Sequence, residues 1–322
     1  MRRCGELSRR ELLAAMAGGA VGLGFDGRVF AAEADDGGRA ELTFGAIADA
    51  QYANADTRGT RHYRLSVDKL AEAVERLNAR RLDFAIHLGD FIDRDFASFA
   101  KITPVYARLR APRYHVLGNH DWSVAAADKA KVLGALGLDK LGSKRRTGHY
   151  DFSVGRWRLI VLNGTDVSTY ANPAGSEKHG EAQTALGKLK ARKAPNAHDW
   201  NGGLGREQFA WLSKTLEAAA KARQRVILFC HMPVCPANAH NLYNDAAVLK
   251  LIDAQEHVVA YLNGHNHAGN YARRKAVHFL TLKGMVERDT NAFAVVEARS
   301  DHLKVTGFGR QTSRALASRN AK

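Results

Sequence analysis

The chain has 322 residues, of which 45% are hydrophobic and 25% charged, and its formal net charge is +15 at pH 7. It is long enough to bury the core of one large domain, and it has no apolar run of the ~18–20 residues that a membrane-spanning helix needs. The charge favours anionic partners such as phosphorylated metabolites. Because Arg and Lys are scattered, apart from runs at 144–146 and 188–193, a nucleic-acid partner is not indicated.

Residues 1–34 have the pattern of an export signal. The string Ser-Arg-Arg-Glu-Leu-Leu at 8–13 runs into an apolar stretch at 12–25, and Ala-Glu-Ala at 32–34 is a predicted cleavage site, with 29–31 as a competitor. The string resembles a twin-arginine signal. We therefore expect the twin-arginine export machinery to deliver the chain to the periplasm. The alternatives are a misassigned start codon and a basic tail.

After a polar linker at 35–41, the chain alternates strand-like apolar runs with helical patterns. In the first helix, apolar residues recur at helical spacing from Val67 to Leu77, and Ser66 is the predicted cap. This βαβαβ opening predicts a parallel sheet. The predicted elements here are strands at 42–48, 84–88 and 114–117 and helices at 66–77 and 96–108.

The rest of the chain predicts a hairpin, a long polar insertion and several late strands. The insertion at 165–203 is long enough to be a functional cap, with a helix at 183–192. The late strands imply a second sheet, so we expect one domain at 42–310 and a tail at 311–322. The other predicted elements are a hairpin at 150–154 and 157–162, helices at 207–222 and 246–253, and strands at 226–229, 258–262, 277–282, 292–297 and 303–307.

Polar side chains follow five of the predicted strands. Each segment is a weak signal alone, but together they offer carboxylate, amide and imidazole ligands, which suit Mn²⁺, Fe or Zn²⁺ rather than a thiolate-binding metal. A ligand at the end of a buried strand stands on a rigid scaffold at the sheet edge. The segments are Asp49-Ala50-Gln51, Gly89 to Asp93, Gly118-Asn119-His120-Asp121, Cys230-His231 and Gly264-His265-Asn266-His267.

In this order the segments resemble the calcineurin-like metallophosphoesterase superfamily, over about residues 42–310. The resemblance implies an α/β fold of four layers, an α/β/β/α sandwich in which two mixed sheets are flanked by helices. It also implies a hydrolase in which Asp90 bridges two divalent ions and a metal-bridging hydroxide attacks a phosphate. The implied ligands are Asp49, Gln51, Asp90 and His267 for one ion, and Asp90, Asn119, His231 and His265 for the other.

Three further residues of these segments are candidates for the chemistry. His120 directly follows a predicted ligand and is expected to protonate the leaving oxygen or to stabilise the transition state. Asp93 and Asp121 are expected to orient histidines from behind, as carboxylates commonly do at metal centres.

Gln51 departs from most of the superfamily, which has His at this position. An amide oxygen is a harder and weaker donor than imidazole, so the first ion should be Mn²⁺ or Mg²⁺ rather than Zn²⁺, with Mn²⁺ the expected metal. Together with four short strings, Gln51 resembles the branch of manganese-dependent ADP-ribose/CDP-alcohol diphosphatases. This implies a small, phosphorylated, nucleotide-containing substrate. The strings lie at 51–53, 59–64, 200–203 and 282–287.

Six residues are candidates for substrate binding. Arg61 and Arg64 precede a helix start, where guanidinium and backbone N–H groups can bind an oxyanion. Tyr52 and Trp200 are candidates for stacking on a nucleobase, although such aromatic residues are more often core. Asn201 and Asn244 are the remaining two.

Several alternatives stay open at the level of sequence. The chain could be a phosphomonoesterase, a non-catalytic nucleotide-binding protein in which Gln51 has weakened the first metal, or a basic nuclease. Cys230 and Cys235 could form a disulfide or remain separate thiols. The oligomeric state is also open, and the other ten histidines are expected on the surface or in the core.

Overall fold

Two six-stranded sheets lie at the centre of the structure, a computed structural model that describes residues 40–139 and 147–317. All the described residues belong to one compact unit. The predicted export signal at 1–34, the linker up to residue 39 and the basic run at 144–146 lie outside the described residues. Within the part of the chain that is described, no helix is both long enough and apolar enough to cross a membrane.

The first sheet has the strand order β12-β11-β10-β1-β2-β3. Strands β1, β2 and β3 are parallel, and β10, β11 and β12 join them as antiparallel neighbours. The strands are β1 (Leu42–Ile47), β2 (Phe84–His87), β3 (Arg113–His115), β10 (Ala292–Ala298), β11 (His302–Gly309) and β12 (Arg314–Ala317).

The second sheet has the strand order β4-β5-β6-β7-β9-β8. Its four central strands are parallel, and an antiparallel strand closes each edge. The strands are β4 (Tyr150–Val154), β5 (Trp157–Val161), β6 (Arg225–Phe229), β7 (Val258–Asn263), β8 (Asn270–Arg274) and β9 (Val277–Thr281).

Helices connect the parallel strands. The first helix buries Leu70, Val74 and Leu77 at helical spacing, and Leu77 packs directly over Gly45 of β1. A larger residue at Gly45 would collide with Leu77, so the glycine permits close packing of helix on sheet. The helices are α1 (Ser66–Asn78), α2 (Ser98–Tyr106), α3 (Val132–Ala135), α4 (Glu177–Ala191), α5 (Arg206–Lys221) and α6 (Asp245–Asp253).

The two sheets pack face to face through aromatic side chains. Phe44 of β1 and Phe84 of β2 stack with ring centroids 4.8 Å apart, and Phe229 of β6 meets them edge-on at 5.7 and 6.3 Å. Each fully buried Phe contributes about 1.5–3 kcal/mol of transfer free energy. A second apolar cluster joins the outer face of the second sheet to α5 and α6 through Leu212 and Val248. This arrangement confirms the predicted α/β/β/α sandwich.

Some details differ from the sequence prediction. The prediction missed β8 and β12, and β12 extends the first sheet beyond residue 310, into the segment assigned to a tail. Ser66 begins α1, but its hydroxyl has no partner among the described residues. In the 165–203 insertion, α4 starts at Glu177 rather than 183, because the Ser176 hydroxyl accepts a hydrogen bond from the His179 backbone N–H.

Candidate metal centre

The carboxyl ends of β1 and β2 carry the acidic half of the site. Asp49, Gln51 and Asp90 have positive φ angles of 53°, 43° and 57°, a conformation that non-glycine residues seldom adopt. Hydrogen bonds from the backbone N–H of Asp49 to Gly89 O (3.2 Å) and of Gln51 to Asp90 O (2.9 Å) hold the two loops together. Strained backbone of this kind clusters at functional sites.

The second sheet supplies the imidazoles. His231 follows β6, and His265 and His267 follow β7. The backbone N–H of His265 donates to Asp49 Oδ1 at 3.1 Å, which ties the two sheets together at the site. Gly264 allows this approach, because a Cβ there would lie 2.6 Å from Asp49 Oδ2.

Two clusters of candidate ligands share Asp90. In each cluster, the donor atoms lie within 4.8 Å of one another; the clusters are Asp90, His231 and His265, and Asp49, Asp90 and His267. His231 Nε2 lies 3.1 Å from Asp90 Oδ2, and His267 Nε2 lies 3.4 Å from Asp49 Oδ1. One carboxylate is therefore placed to serve two ions.

Two amides complete the donor set. Gln51 Nε2 donates to Asp90 Oδ2 at 2.9 Å and lies 3.2 Å from His267 Nε2. Gln51 Oε1 and Asn119 Oδ1 are buried, yet neither accepts a hydrogen bond from any described residue. Buried acceptors without a partner are costly, and hard oxygen atoms beside carboxylates and imidazoles suit divalent ions. The structure thus brings together all seven predicted ligands, and the donor set fits two divalent cations.

The electrostatics of the cluster favour positive charge. Burial opposes protonation of His231 and His267, but Asp90 and Asp49 outweigh it and raise the pKa of each to about 9. Burial and the neighbouring His231 instead lower the pKa of His265 well below its usual value. The carboxylates therefore create a negative potential at the imidazole nitrogens, which a divalent cation would also experience.

Each histidine is held from behind through the ring nitrogen that faces away from the cluster. His231 Nδ1–H donates to Leu88 O at 2.8 Å. His265 Nε2–H donates to Asn201 Oδ1 at 2.9 Å, and His267 Nδ1–H donates to Glu287 Oε1 at 2.6 Å. Such contacts fix the tautomer, so the opposite nitrogen is left to bind an ion.

His120 lies in a short 3₁₀ turn at the edge of the cluster. Its backbone N–H donates to Asp90 Oδ1 at 2.7 Å, and its Nδ1 lies 2.8 Å from Asp93 Oδ1. Burial opposes protonation of the ring, but Asp90 and Asp93 outweigh it and raise the pKa of His120. Asp93 therefore lies where the sequence predicted it, behind a histidine.

Asp121 differs from its prediction, because it orients backbone rather than a histidine. Its carboxylate accepts hydrogen bonds from the backbone N–H groups of Phe91 and Gly118, both at 2.8 Å, and of Asp90 at 3.2 Å. Burial and the charge of Asp90 raise its pKa to about 7. Asp121 thus joins the loops after β2 and β3 that carry Asp90 and Asn119.

A cavity of about 590 Å³ opens over the cluster. Five of the seven candidate ligands line it together with His120 and Arg61; these five are Gln51, Asp90, Asn119, His265 and His267. The 165–203 insertion, predicted to be a cap, contributes Thr169, Tyr170, Asp199 and Trp200 to the lining of the cavity, and Ser123 and His240 line it as well.

Two of the six predicted substrate residues line this cavity. Arg61 Nε lies 3.6 Å from Glu287 Oε1, with the Arg61 side chain 36% exposed. Trp200 is 42% exposed and stacks on His198, with ring centroids 4.0 Å apart. Because His198 covers one face of the indole, the other face is available to a flat group in the cavity.

The other four predicted substrate residues have structural contacts instead. Arg64 bonds to Asn54 and Asp56 on the surface, at 2.8 and 2.6 Å. Tyr52 packs in the core, where burial leaves it no face for a base. Neither residue lines the cavity.

Asn201 and Asn244 are held by neighbouring backbone. Asn201 is fully buried and bonds to His265 and to the Asn196 and Ala239 carbonyls. Asn244 precedes α6 and bonds through both side-chain atoms to the backbone of Leu204. Asn201 thus supports a candidate ligand, while Asn244 joins α6 to the chain before α5.

Sequence reasoning missed several residues of the site, among them Glu287 and His240. Glu287 contacts His267 across a gap of twenty positions, and its one sequence signal was its place in the 282–287 string. His240 lines the cavity, although no motif surrounds it.

Cys230 and Cys235 are separate free thiols, and burial raises the pKa of Cys230 to about 11.

Comparisons with known proteins agree with this geometry. A family model described as calcineurin-like phosphoesterase matches residues 42–269. Manganese-dependent ADP-ribose/CDP-alcohol diphosphatases are similar to this chain: that of Arabidopsis thaliana is 30% identical, over 84% of this chain and 96% of the relative, and that of Danio rerio is 29% identical over the same shares. The crystal structure of a dimetal phosphatase from Danio rerio superposes with a TM-score of 0.77 at 25% identity, and covers 87% of this chain and all of that one.

Proposed function

This chain belongs to the calcineurin-like phosphoesterase family, and from that membership we propose that it is a manganese-dependent hydrolase of nucleotide diphosphate compounds such as ADP-ribose or CDP-alcohols. As a metallophosphoesterase it acts on phosphoester or phosphoanhydride bonds. The observation that carries the finer proposal is the pair of ligand clusters that share Asp90 beneath a capped cavity.

The seven candidate ligands would hold two ions, with the carboxylate of Asp90 available to both. When bound, two divalent ions activate water and stabilise charge on the attacked phosphate. The hard amide oxygens of Gln51 and Asn119 favour Mn²⁺ or Mg²⁺ over Zn²⁺. We assign Asp49, Gln51, Asp90 and His267 to the first ion, and Asp90, Asn119, His231 and His265 to the second.

The protein's own groups bind the substrate and move the proton. Arg61 faces the cavity and can pair with phosphate oxygens. His120 donates its Nδ1–H to Asp93, and its raised pKa favours the imidazolium form, whose second proton at Nε2 is the one given to the leaving oxygen. Trp200 presents a free indole face for a nucleobase, so the cap binds the part of the substrate beyond the phosphates.

A substrate panel tests this function. Purified protein is stripped of metal, supplied with Mn²⁺, and assayed with ADP-ribose, CDP-choline, a bis-aryl phosphate and a mono-aryl phosphate. We expect the highest kcat/KM with ADP-ribose or CDP-choline, because only these engage both Arg61 and Trp200. A preference for the monoester would contradict the proposal and identify a phosphomonoesterase. Turnover by Gln51→His but not by the native chain would identify a nucleotide-binding protein.

Export to the periplasm through the twin-arginine pathway is a separate proposal. Its support is the sequence pattern alone, namely the Arg9-Arg10 pair followed by the apolar stretch at 12–25. Cell fractionation of the full chain should find the processed protein in the periplasm, and Arg9→Lys with Arg10→Lys should keep it in the cytoplasm. Equal distribution of both forms would contradict the proposal.

A further inference from the structure

Glu287 lies behind the metal centre and contacts two parts of the site at once. Its Oε1 accepts a hydrogen bond from His267 Nδ1–H at 2.6 Å and lies 3.6 Å from Arg61 Nε. The Thr60 hydroxyl donates to its other oxygen. One carboxylate therefore joins a candidate metal ligand to the cationic side chain that faces the cavity.

The segment that carries Glu287 is anchored before any ligand binds. Lys69 of α1, only 5% exposed, donates through Nζ to the carbonyl oxygens of Met285 and Arg288. The backbone N–H of Val286 donates to Asp49 O at 2.9 Å. Arg61 pairs with Glu287 through a β-bridge as well. The carboxylate is thus fixed from both sides.

A surface ion pair would contribute little, but this carboxylate is not on the surface. The side chain of Glu287 is 15% exposed and that of His267 is 11% exposed. Removal of a carboxylate behind a metal-ligating histidine typically costs about 10–100-fold in metal affinity. Loss of the negative charge also leaves Arg61 without its partner beside the cavity.

We infer that Glu287 is a positioning residue that couples the metal centre to substrate binding: it fixes the His267 ring toward the first ion and holds Arg61 at the cavity. This inference rests on the proposed function. The two contacts need different properties, because His267 needs an oxygen acceptor whereas Arg61 needs a negative charge. Glu287→Ala removes both properties, and Glu287→Gln removes only the charge.

Titration calorimetry of metal-free protein with Mn²⁺, together with the KM for ADP-ribose at saturating Mn²⁺, tests the inference. Glu287→Ala should weaken one Mn²⁺ site by about 10–100-fold and raise KM. Glu287→Gln should recover most of the Mn²⁺ affinity but keep the raised KM. Arg61→Ala should raise KM and leave Mn²⁺ binding at the native level.

Asp301→Asn is the matched control, because the exposed Asp301 makes the same kind of contact with the His302 ring, at 2.7 Å, and does not line the cavity. Asp301→Asn should change neither the Mn²⁺ affinity nor the KM for ADP-ribose. Circular dichroism checks that each variant is folded. If folded Glu287→Ala binds Mn²⁺ like the native protein, or Glu287→Gln loses both properties equally, the inference is wrong while the proposed function stands. If the native protein binds no Mn²⁺, both are wrong.

Discussion

The two sheets contribute chemically different halves of the metal centre. The loops after β1, β2 and β3 supply oxygen donors from carboxylates and amides, whereas the loops after β6 and β7 supply only imidazoles. The candidate donors are Asp49, Gln51, Asp90 and Asn119 from the first sheet, and His231, His265 and His267 from the second.

The halves are also held in different ways. Three of the four oxygen donors lie on backbone with positive φ, as does one histidine, His265, whereas all three histidines are fixed by hydrogen bonds from their outer ring nitrogens. Neither sheet alone offers a complete set of ligands for an ion. The metal centre therefore depends on the packing of one sheet against the other. A bound ion should in turn strengthen this packing.

The largest effect should come from the residue common to both ligand clusters. Asp90→Asn removes the shared charge, so we expect kcat/KM for ADP-ribose to fall by about 10³-fold or more. Steady-state assays with excess Mn²⁺ measure this loss. Asp83→Asn is the control. Asp83 lies just before β2, whereas Asp90 follows it, and asparagine keeps an oxygen that can accept the hydrogen bond from the Thr43 backbone N–H, so this variant should remain active. An active Asp90→Asn would refute the shared-ligand arrangement.

The second largest loss of activity should come from replacing His120, the proposed proton donor, which follows β3 of the first sheet. His120→Gln removes the proton at Nε2, and a general acid typically contributes about 10²–10⁴-fold to the rate. We expect the loss in kcat to be large for a bis-phenyl phosphate, whose phenoxide leaving group needs a proton, and small for a bis-nitrophenyl phosphate, whose leaving group needs none. An equal loss for both substrates would show that His120 acts in another way.

Metal removal tests whether an ion joins the two sheets. A ligand that binds only the folded state stabilises it by about 2.7 kcal/mol at a concentration of 100 times Kd. Mn²⁺ should therefore raise the Tm of chelator-treated native protein, and much less that of Asp90→Asn. Differential scanning calorimetry across a Mn²⁺ series provides the measurement. Equal shifts in both proteins would place the stabilising ion elsewhere.

The cap should make a smaller contribution than either sheet. Trp200→Ala removes the indole face in the cavity, and stacking on a base is worth about 1–3 kcal/mol. KM for ADP-ribose should rise, with kcat nearly unchanged. Leu65→Ala is the control, because Leu65 is the other large exposed apolar side chain of the described residues, at 39%, and does not line the cavity. An unchanged KM in Trp200→Ala would exclude stacking.

Four of the five strands that carry the ligands could be predicted because each is a short buried apolar run that ends in a polar residue. The fifth, β3, is partly exposed, and the buried apolar residues that indicated it, Val116 and Leu117, lie just after it. Strand β8 could not, since Asn270–Arg274 is polar and partly exposed at a sheet edge. Strand β12 is only four residues long, also at an edge. Neither of these two edge strands has the apolar pattern of a buried strand.

The residues that support the ligands were harder to predict than the ligands. Asp121 binds backbone N–H groups, and Asn201 reaches a histidine 64 positions away. Glu287 reaches His267 only because the chain after β9 passes close to the loop after β7. Such contacts depend on how loops meet in space, and residue type alone does not reveal them. The same is true of Arg61 and Arg64, which the sequence could not distinguish.

The smallest expected effect separates these two arginines. Arg64 bonds to Asn54 and to the exposed Asp56, and its loss should leave KM, kcat and Tm at their native values, because exposed ion pairs contribute little. Arg61→Ala should raise KM for ADP-ribose, since Arg61 faces the cavity. Both variants replace an arginine by alanine and lower the net charge by one, and the two positions are only three residues apart. Each variant is therefore a control for the effect of net charge in the other. If instead Arg64→Ala raised KM and Arg61→Ala did not, the assignment would be reversed. The phosphate would then bind outside the cavity that Arg61 lines.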